Sequence, residues 1–255
     1  RAQIAAIRAG LARQRGESAA AIELARQALA DLPAGERRVR SVASLYLGNA
    51  YLSSGDAVAA IQAYAEAVRL SQTPSTITMA LTFRGRLVMA QVLRGRLHQA
   101  AETYRQTLEL AASHGLAATP ALGGAEVGMA EVLREWNDLD GAEALVYQGI
   151  AHCRDANGLA QMALDGALTL SRLLQSRGDP IGALAVLQEA EDFGRDRQIA
   201  QSAEHMALAR ARMWLTSATG DVAAARRWAS GRQAAWRSST TLDYVGLLER
   251  LTLAR

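Results

Sequence analysis

The stretch Gly48-Asn-Ala-Tyr-Leu-Ser-Ser-Gly-Asp-Ala-Val-Ala-Ala-Ile-Gln-Ala-Tyr-Ala-Glu-Ala67 decides the architecture of this chain. Gly48 and Tyr51 share one face of a helix; Ala60, Tyr64 and Ala67 share a face of the next. Gly55 stands between the two runs, where a residue without a Cβ enters the left-handed conformation at low cost and ends a helix. Asp56 follows as an N-cap, its carboxylate accepting from a backbone N–H that has no partner in the helix. The stretch therefore predicts two antiparallel helices joined by a tight turn. The same punctuation recurs at Gly16, Gly55, Gly95, Asn137, Gly178 and Gly220, at intervals of 39, 40, 42, 41 and 42 residues. Five positions after each turn stands an alanine: Ala21, Ala60, Ala100, Ala142, Ala183 and Ala225. A repeat of this length is the signature of stacked supersecondary units.

Each alanine falls one turn into its second helix, where the two helices converge and a larger side chain would force their axes apart. Gly48 and Ala130, seven residues before their turns, are expected to form the opposing small surface. Asp138, Asp179 and Asp221 repeat the cap, and Pro180 occupies a first helical position, where its missing N–H costs nothing. Asn137 replaces glycine in the fourth unit; asparagine also tolerates the left-handed conformation, so that hairpin is predicted to survive. Pro74 and the Thr119–Pro120 pair mark connections between hairpins. The pattern predicts helices over 2–15, 18–32, 37–54, 57–71, 76–94, 97–114, 120–136, 139–156, 158–177, 180–196, 199–219, 221–236 and 240–254. The last carries an apolar stripe (Leu242, Val245, Leu248, Leu251) that a further helix is expected to cover.

Gly48, Tyr51, Gly55, Ala60, Tyr64 and Ala67 resemble the tetratricopeptide repeat (TPR), and the first unit is similar to it through Ala9, Ala12, Gly16, Ala21, Ala25, Ala28 and Pro33. The common period of that repeat is about 34 residues, so the extra residues here must lengthen helices or connections. The fold expected is all-α: a right-handed superhelical solenoid of about six TPR-like hairpins plus a C-terminal helix. Residues 1–255 are expected to form a single superhelical domain. The lack of an initiator methionine and of polar capping helices suits a segment cut from a longer protein.

Composition narrows the function. All 28 Lys-plus-Arg residues are arginine, which removes any Walker, Schiff-base or general-base lysine from this chain. The formal net charge is only +3. No run of apolar residues is long enough to span a membrane, and the opening residues read as amphipathic helix rather than a signal peptide. A lone Cys153 forms no internal disulfide, which suits a reducing cytoplasm.

Chemistry is sparse. His98, His114, His152 and His205 are scattered over separate units, and His152 and Cys153, adjacent on a helix, diverge by about 100° and cannot chelate together. Gly123–Gly124 lacks the strand and the Gly-Lys of a phosphate loop. Glu131 and Glu135, with Arg134 between them, read as a solvated helix face rather than a catalytic dyad. The arginine clusters 37/38/40, 84/86/94/96 and 226/227/232/237 also read as solvated faces, diluted by acids and without a recognition helix. No catalytic residue, metal or direct nucleic-acid contact is expected.

In TPR-like superhelices the first helix of each hairpin faces the concave side. Six residues before the turns stand Gly10, Asn49, Met89, Glu131, Arg172 and Trp214, and neighbouring positions of the same faces add Arg13, Arg86, Arg134, Thr169 and Arg210. Arginine forks suit carboxylate, phosphate or sugar hydroxyls, and Trp214 could stack on a ring. Asn49, Arg86, Glu131, Arg134, Arg172, Arg210 and Trp214 are therefore the expected ligand-binding set.

Leu133, Glu135, Trp136, Asn137, Asp138, Leu139 and Ala142, together with the run Gly95-Arg-Leu-His-Gln-Ala-Ala101, resemble the superhelical domain of MalT-type regulators. These are large ATP-dependent transcription activators of the LuxR family in bacteria. The resemblance implies a sensor and assembly domain that takes a small-molecule inducer or a regulatory protein or peptide. It implies a nucleotide-binding module before this segment and a helix-turn-helix after it, so ATP is expected only outside this chain. It leaves self-association open. The alternative is a free-standing TPR adaptor or scaffold for peptide or protein partners.

Overall fold

In a computed structural model of the chain, the structure describes residues 2–154, 156, 159–199, 202–216, 221–238 and 252. Twelve α-helices occur among them: α1 (Ala2–Gln14), α2 (Ser18–Asp31), α3 (Arg37–Ser53), α4 (Ala57–Leu70), α5 (Ile77–Leu93), α6 (Leu97–Ser113), α7 (Gly123–Glu135), α8 (Leu139–Arg154), α9 (Ala160–Ser176), α10 (Pro180–Asp196), α11 (Ser202–Thr216) and α12 (Val222–Ser238). Short 3-10 turns at Pro74–Thr76 and Pro120–Leu122 lead into α5 and α7, where the prolines predicted connections. The fold is all-α, a TPR-like repeat of hairpins. Gly220, the leucine stripe and, apart from Thr252, the predicted helix over 240–254 lie outside the described residues. The chain divides into two compact units, residues 1–166 and 167–255.

The turns follow the predicted chemistry. Gly16, Gly55, Gly95 and Gly178 adopt φ of 78°, 87°, 74° and 78°, and Asn137 adopts 62°. At Gly55 the glycine N–H donates to the Leu52 carbonyl (3.1 Å) and the Asp56 N–H to that of Tyr51 (2.9 Å). This double bond pattern pairs carbonyls that the end of a helix would otherwise strand. It recurs at Asn137, where Asp138 N–H reaches Leu133 O at 2.9 Å. Asp56, Asp138, Asp179 and Asp221 each accept from the N–H three residues on, at 2.8–3.0 Å. Gln198 takes the same left-handed role (φ 52°) at the end of α10 without a glycine or asparagine to announce it.

The repeat alanines are core residues: Ala21, Ala60, Ala100, Ala142 and Ala183 have no exposed surface and Ala225 is 5% exposed. In the first unit Ala21, Ala60 and Ala100 sit in clusters that join neighbouring hairpins. Ala60 and Tyr64 pack with Ala90 of α5, and Ala100 packs with Val88 and with Val132 of α7. Burying these small faces, rather than helix propensity alone, holds short helices in place. In the second unit Leu173, Ala183, Leu187, Met206 and Ala211 are buried.

The space left at Gly48 is taken by a side chain of the second helix. A Cβ at Gly48 would lie 2.5 Å from Cε1 of Tyr64, so the missing side chain makes room for the tyrosine ring.

Candidate functional site

Tyr64 belongs to the second helix of its hairpin, yet through the notch at Gly48 its hydroxyl reaches the first-helix layer. There it donates to Oδ1 of Asn49 at 2.8 Å. The ring is wholly buried, and that burial pushes the phenol pKa far up, so the hydroxyl stays a proton donor. Asn49 is thus fixed in orientation, with its amide N–H groups unspent.

Arg86 arrives from α5. The residue before it, Gly85, lies where a Cβ would come 2.9 Å from the backbone of Gly124 and Ala125, so α5 and α7 approach backbone to backbone. Arg86 then ion-pairs with Asp165 of α9 at 3.0 Å, across 79 residues of sequence, with side chains 17% and 22% exposed. This partly buried pair is far from the solvated arginine face expected at that position. Arg84 is also half-buried, its Nε without a partner, and burial lowers its pKa.

Arg13 completes the group from α1. Burial first, and then the charge of Arg86, push its pKa down, while Tyr64, Asp165 and Tyr46 act in the opposite sense. Its Nε is buried with no hydrogen-bond partner. Arg13, Asn49, Tyr64, Arg86 and Asp165 therefore form one polar cluster in the first unit.

The other expected site residues have different surroundings. Glu131 is 4% exposed, and Arg134 bridges it at 2.8 Å and also contacts Glu135. Only Glu135 of this trio is exposed, so the solvated-face reading fails at Glu131, which points into the helix layer. At the end of α7 the His98 and Trp136 rings stack tilted at 5.4 Å. In the second unit Arg172 is exposed and its Nε donates to Leu168 O at 3.1 Å. Arg210 pairs with Glu191 at 2.6 Å and with Gln188 of α10, and Trp214 is half-buried.

A second polar cluster was not foreseen. Glu126, 1% exposed on α7, accepts from Gln148 Nε2 at 2.8 Å and meets His152 Nδ1 at 2.7 Å. Burial raises the Glu126 carboxyl above its ordinary range, partly offset by the His152 and Gln148 bonds. The signal in the sequence was a glutamate within an otherwise small, apolar run, Gly123-Gly-Ala-Glu-Val-Gly128. Cys153, next to His152, is buried, and its thiol is pushed up to about 12 by that burial, so it is not an activated nucleophile. Among the described residues no three His, Cys, Asp or Glu side chains are grouped to hold a metal. No helix among them is long and apolar enough to cross a membrane.

Comparison with known proteins agrees with this fold. A Rap conjugation gene regulator of the plasmid pLS20, solved in complex with the Phr* peptide, is similar at a TM-score of 0.68 and 14% identity, over 97% of this chain and 70% of that one. The apo form of RapI matches at 0.61 and 10% identity, over 92% and 84%. BtubC (BKLC) from P. vanneervenii matches at 0.51 and 17% identity, over 74% and 78%. At these identities the likeness is one of fold. No curated protein matches the sequence. The family model of the MalT-like TPR region, however, matches residues 2–255, and the chain belongs to that family.

Proposed function

We propose that this chain is the sensor and assembly segment of a MalT-like transcription regulator of the LuxR family, binding an inducer or a regulatory peptide or protein along its first-helix groove. The observation that carries this reading is the polar cluster of Arg13, Asn49, Tyr64, Arg86 and Asp165, assembled from separate hairpins where a purely structural layer would be apolar. The family match supports the regulatory setting. The peptide complex of the pLS20 Rap regulator supports a peptide as one class of ligand for this fold. ATP hydrolysis and DNA reading then belong to other modules of the intact protein.

The mechanism follows from how a solenoid is held together. Each hairpin contacts only its neighbours, so the array bends along its length. A ligand held by groups on several hairpins favours one curvature, and shifts the population only by as much as it prefers that curvature. Coupling on the order of 1–3 kcal/mol is typical of such devices. The test is Asn49→Ala with Arg86→Ala in the intact regulator, beside Arg94→Ala with Arg96→Ala near the exposed turn at Gly95. The first pair is expected to raise the ligand concentration needed for activation, with helical circular dichroism retained. An unchanged response would remove the first-helix face as the sensor and leave an adaptor or spacer role. The gene around this segment gives an independent check, since an adaptor would lack a phosphate-loop module before it and a helix-turn-helix after it.

A further inference from the structure

The donors around Arg13 are not all spent. Arg13 makes no hydrogen bond or ion pair among the described residues, and its Nε is already buried. Asn49 gives its oxygen to Tyr64, which leaves the amide N–H groups. Tyr46, on the same helix as Asn49, lies against α1: a Cβ at Gly10 would stand 3.3 Å from the Tyr46 Cζ. The hydroxyl end of its ring therefore lies at Gly10, one helical turn before Arg13, and among the described residues it too has no hydrogen-bond partner. Among the described residues the carboxylate that acts on Arg13 is that of Asp165, already occupied by Arg86 at 3.0 Å and by Gln161 at 3.4 Å.

The charge count is decisive. Two guanidinium groups and one carboxylate leave a single positive charge in a partly desolvated place. A guanidinium does not give up its proton to relieve this. A buried, unpaired polar group is costly, so the arrangement suits a ligand that supplies the missing acceptor. A monoanion balances the site; a phosphate dianion would overshoot it. A carboxylate also presents two coplanar oxygens to the guanidinium fork.

We infer that Arg13, with Tyr46, Asn49 and the Arg86–Asp165 pair, forms a subsite for a single carboxylate group of a ligand. The inference rests on the partner-binding reading above for its use in the regulator. The carboxylate can come from a small organic acid or from a peptide, and the chemistry at Arg13 is the same for both.

The experiment follows the Arg13 Nε–H signal in the arginine-labelled chain. The probes are acetate, glutarate, a short N-acetylated peptide with a free C-terminus, its C-terminal amide, acetamide and inorganic phosphate. The carboxylates are expected to shift the signal saturably, acetamide to leave it, and phosphate to bind more weakly. A larger effect of the free peptide than of its amide would assign the source to a peptide terminus; tighter binding of glutarate than of that peptide would assign it to a small acid. Arg13→Gln should weaken acetate binding about tenfold, followed on the Asn49 amide signal. Asp165→Asn, which raises the positive charge of the site, should strengthen it. That opposite sign separates a charge-specific site from a disturbed fold. No saturable shift, equal shifts from acetamide, or tighter binding of phosphate would overturn the proposal. Those results would leave the sensing reading standing, since that reading is tested by the response of the intact regulator. Acetate binding with an unchanged response of the Arg13→Gln regulator would instead keep the subsite and remove its part in sensing.

Discussion

The second hairpin (α3–α4) and the fourth (α7–α8) use one repeat to solve two packing problems. In the second, Gly48 is a notch and Tyr64 fills it. At the equivalent positions the fourth has Ala130 and Val146, both buried, so the bulk is shared out differently. Toward the other end of the hairpin the sizes reverse. Where the second has buried Ser41 and Ala67, the fourth has Gly123 and Gly149, and a Cβ at Gly123 would stand 2.8 Å from the Gly149 carbonyl oxygen. Polarity also moves. Glu126 and His152 occupy the places of Ser44 and Leu70, so a polar pair, with Glu126 buried and His152 partly exposed, replaces a small and an apolar residue. The hairpin geometry tolerates both because the turn and the central alanine are kept. The difference lies in where each hairpin puts a polar group: the second delivers the Tyr64 hydroxyl to Asn49 in the first-helix layer, and the fourth keeps its polar pair between its own helices.

The largest expected effect comes from converting one arrangement into the other. Tyr64→Val should cost about 3 kcal/mol by emptying the core. Gly48→Ala should cost roughly 1–3 kcal/mol by driving a methyl into the ring. The double change copies the fourth hairpin, and should cost at least ~1 kcal/mol less than the two singles together. Urea unfolding of the three variants checks this; strict additivity would break the notch account.

Next in size is that polar pair. His152→Leu alone leaves the Glu126 carboxylate short of a partner and should cost about 2 kcal/mol. Glu126→Ser with His152→Leu copies the second hairpin and should fall within ~1 kcal/mol of the parent, since a buried polar pair rarely outdoes apolar packing. Thermal unfolding of both variants decides it.

The same pair sets a pH dependence. Burial raises the folded-state pKa of Glu126 above its ordinary value of 4.5, so the folded chain holds that proton more tightly than the unfolded chain does. The contribution of this group to stability is therefore complete below that value and is lost as pH rises through the folded pKa. Glu126→Gln should flatten this fall between pH 4.5 and neutrality, followed by urea midpoints across the range. An unaltered pH profile would show that Glu126 is not raised by its surroundings.

The smallest effect should be common to both hairpins. Asp56→Ala and Asp138→Ala each remove one cap bond and should each cost about 1 kcal/mol. A much larger loss at Asp138 would mean that the asparagine turn depends on its cap in a way the glycine turn does not.

What the sequence disclosed follows from which interactions are local. Turns, caps and the central alanine act within a few residues, and Gly55-Asp56 or Asn137-Asp138 carry their geometry in their chemistry. Even the helix ends fall within about three residues of expectation for that reason. The site was legible only in part. Asn49, Arg86 and Arg13 were visible as polar positions on first-helix faces. Asp165 was not, because its link to Arg86 depends on α5 and α7 closing at Gly85 and Gly124, a contact that no local pattern encodes. Tyr64 read as repeat core, and its hydroxyl reaches Asn49 where Gly48 leaves room for the ring. Glu126, in the glycine-rich run of α7, gains its meaning only from Gln148 and His152 of α8, which the local sequence does not place beside it.

The central claim is that ligand meets the first-helix face. Hydrogen–deuterium exchange on the intact protein, with and without the ligand proposed for it, tests this without any substitution. The account predicts slowed exchange in α1, α3 and α5, around Arg13, Asn49 and Arg86, with α2, α4 and α6 little changed. Protection confined to α2, α4 and α6, or none in any of these helices while the ligand is bound, would contradict it.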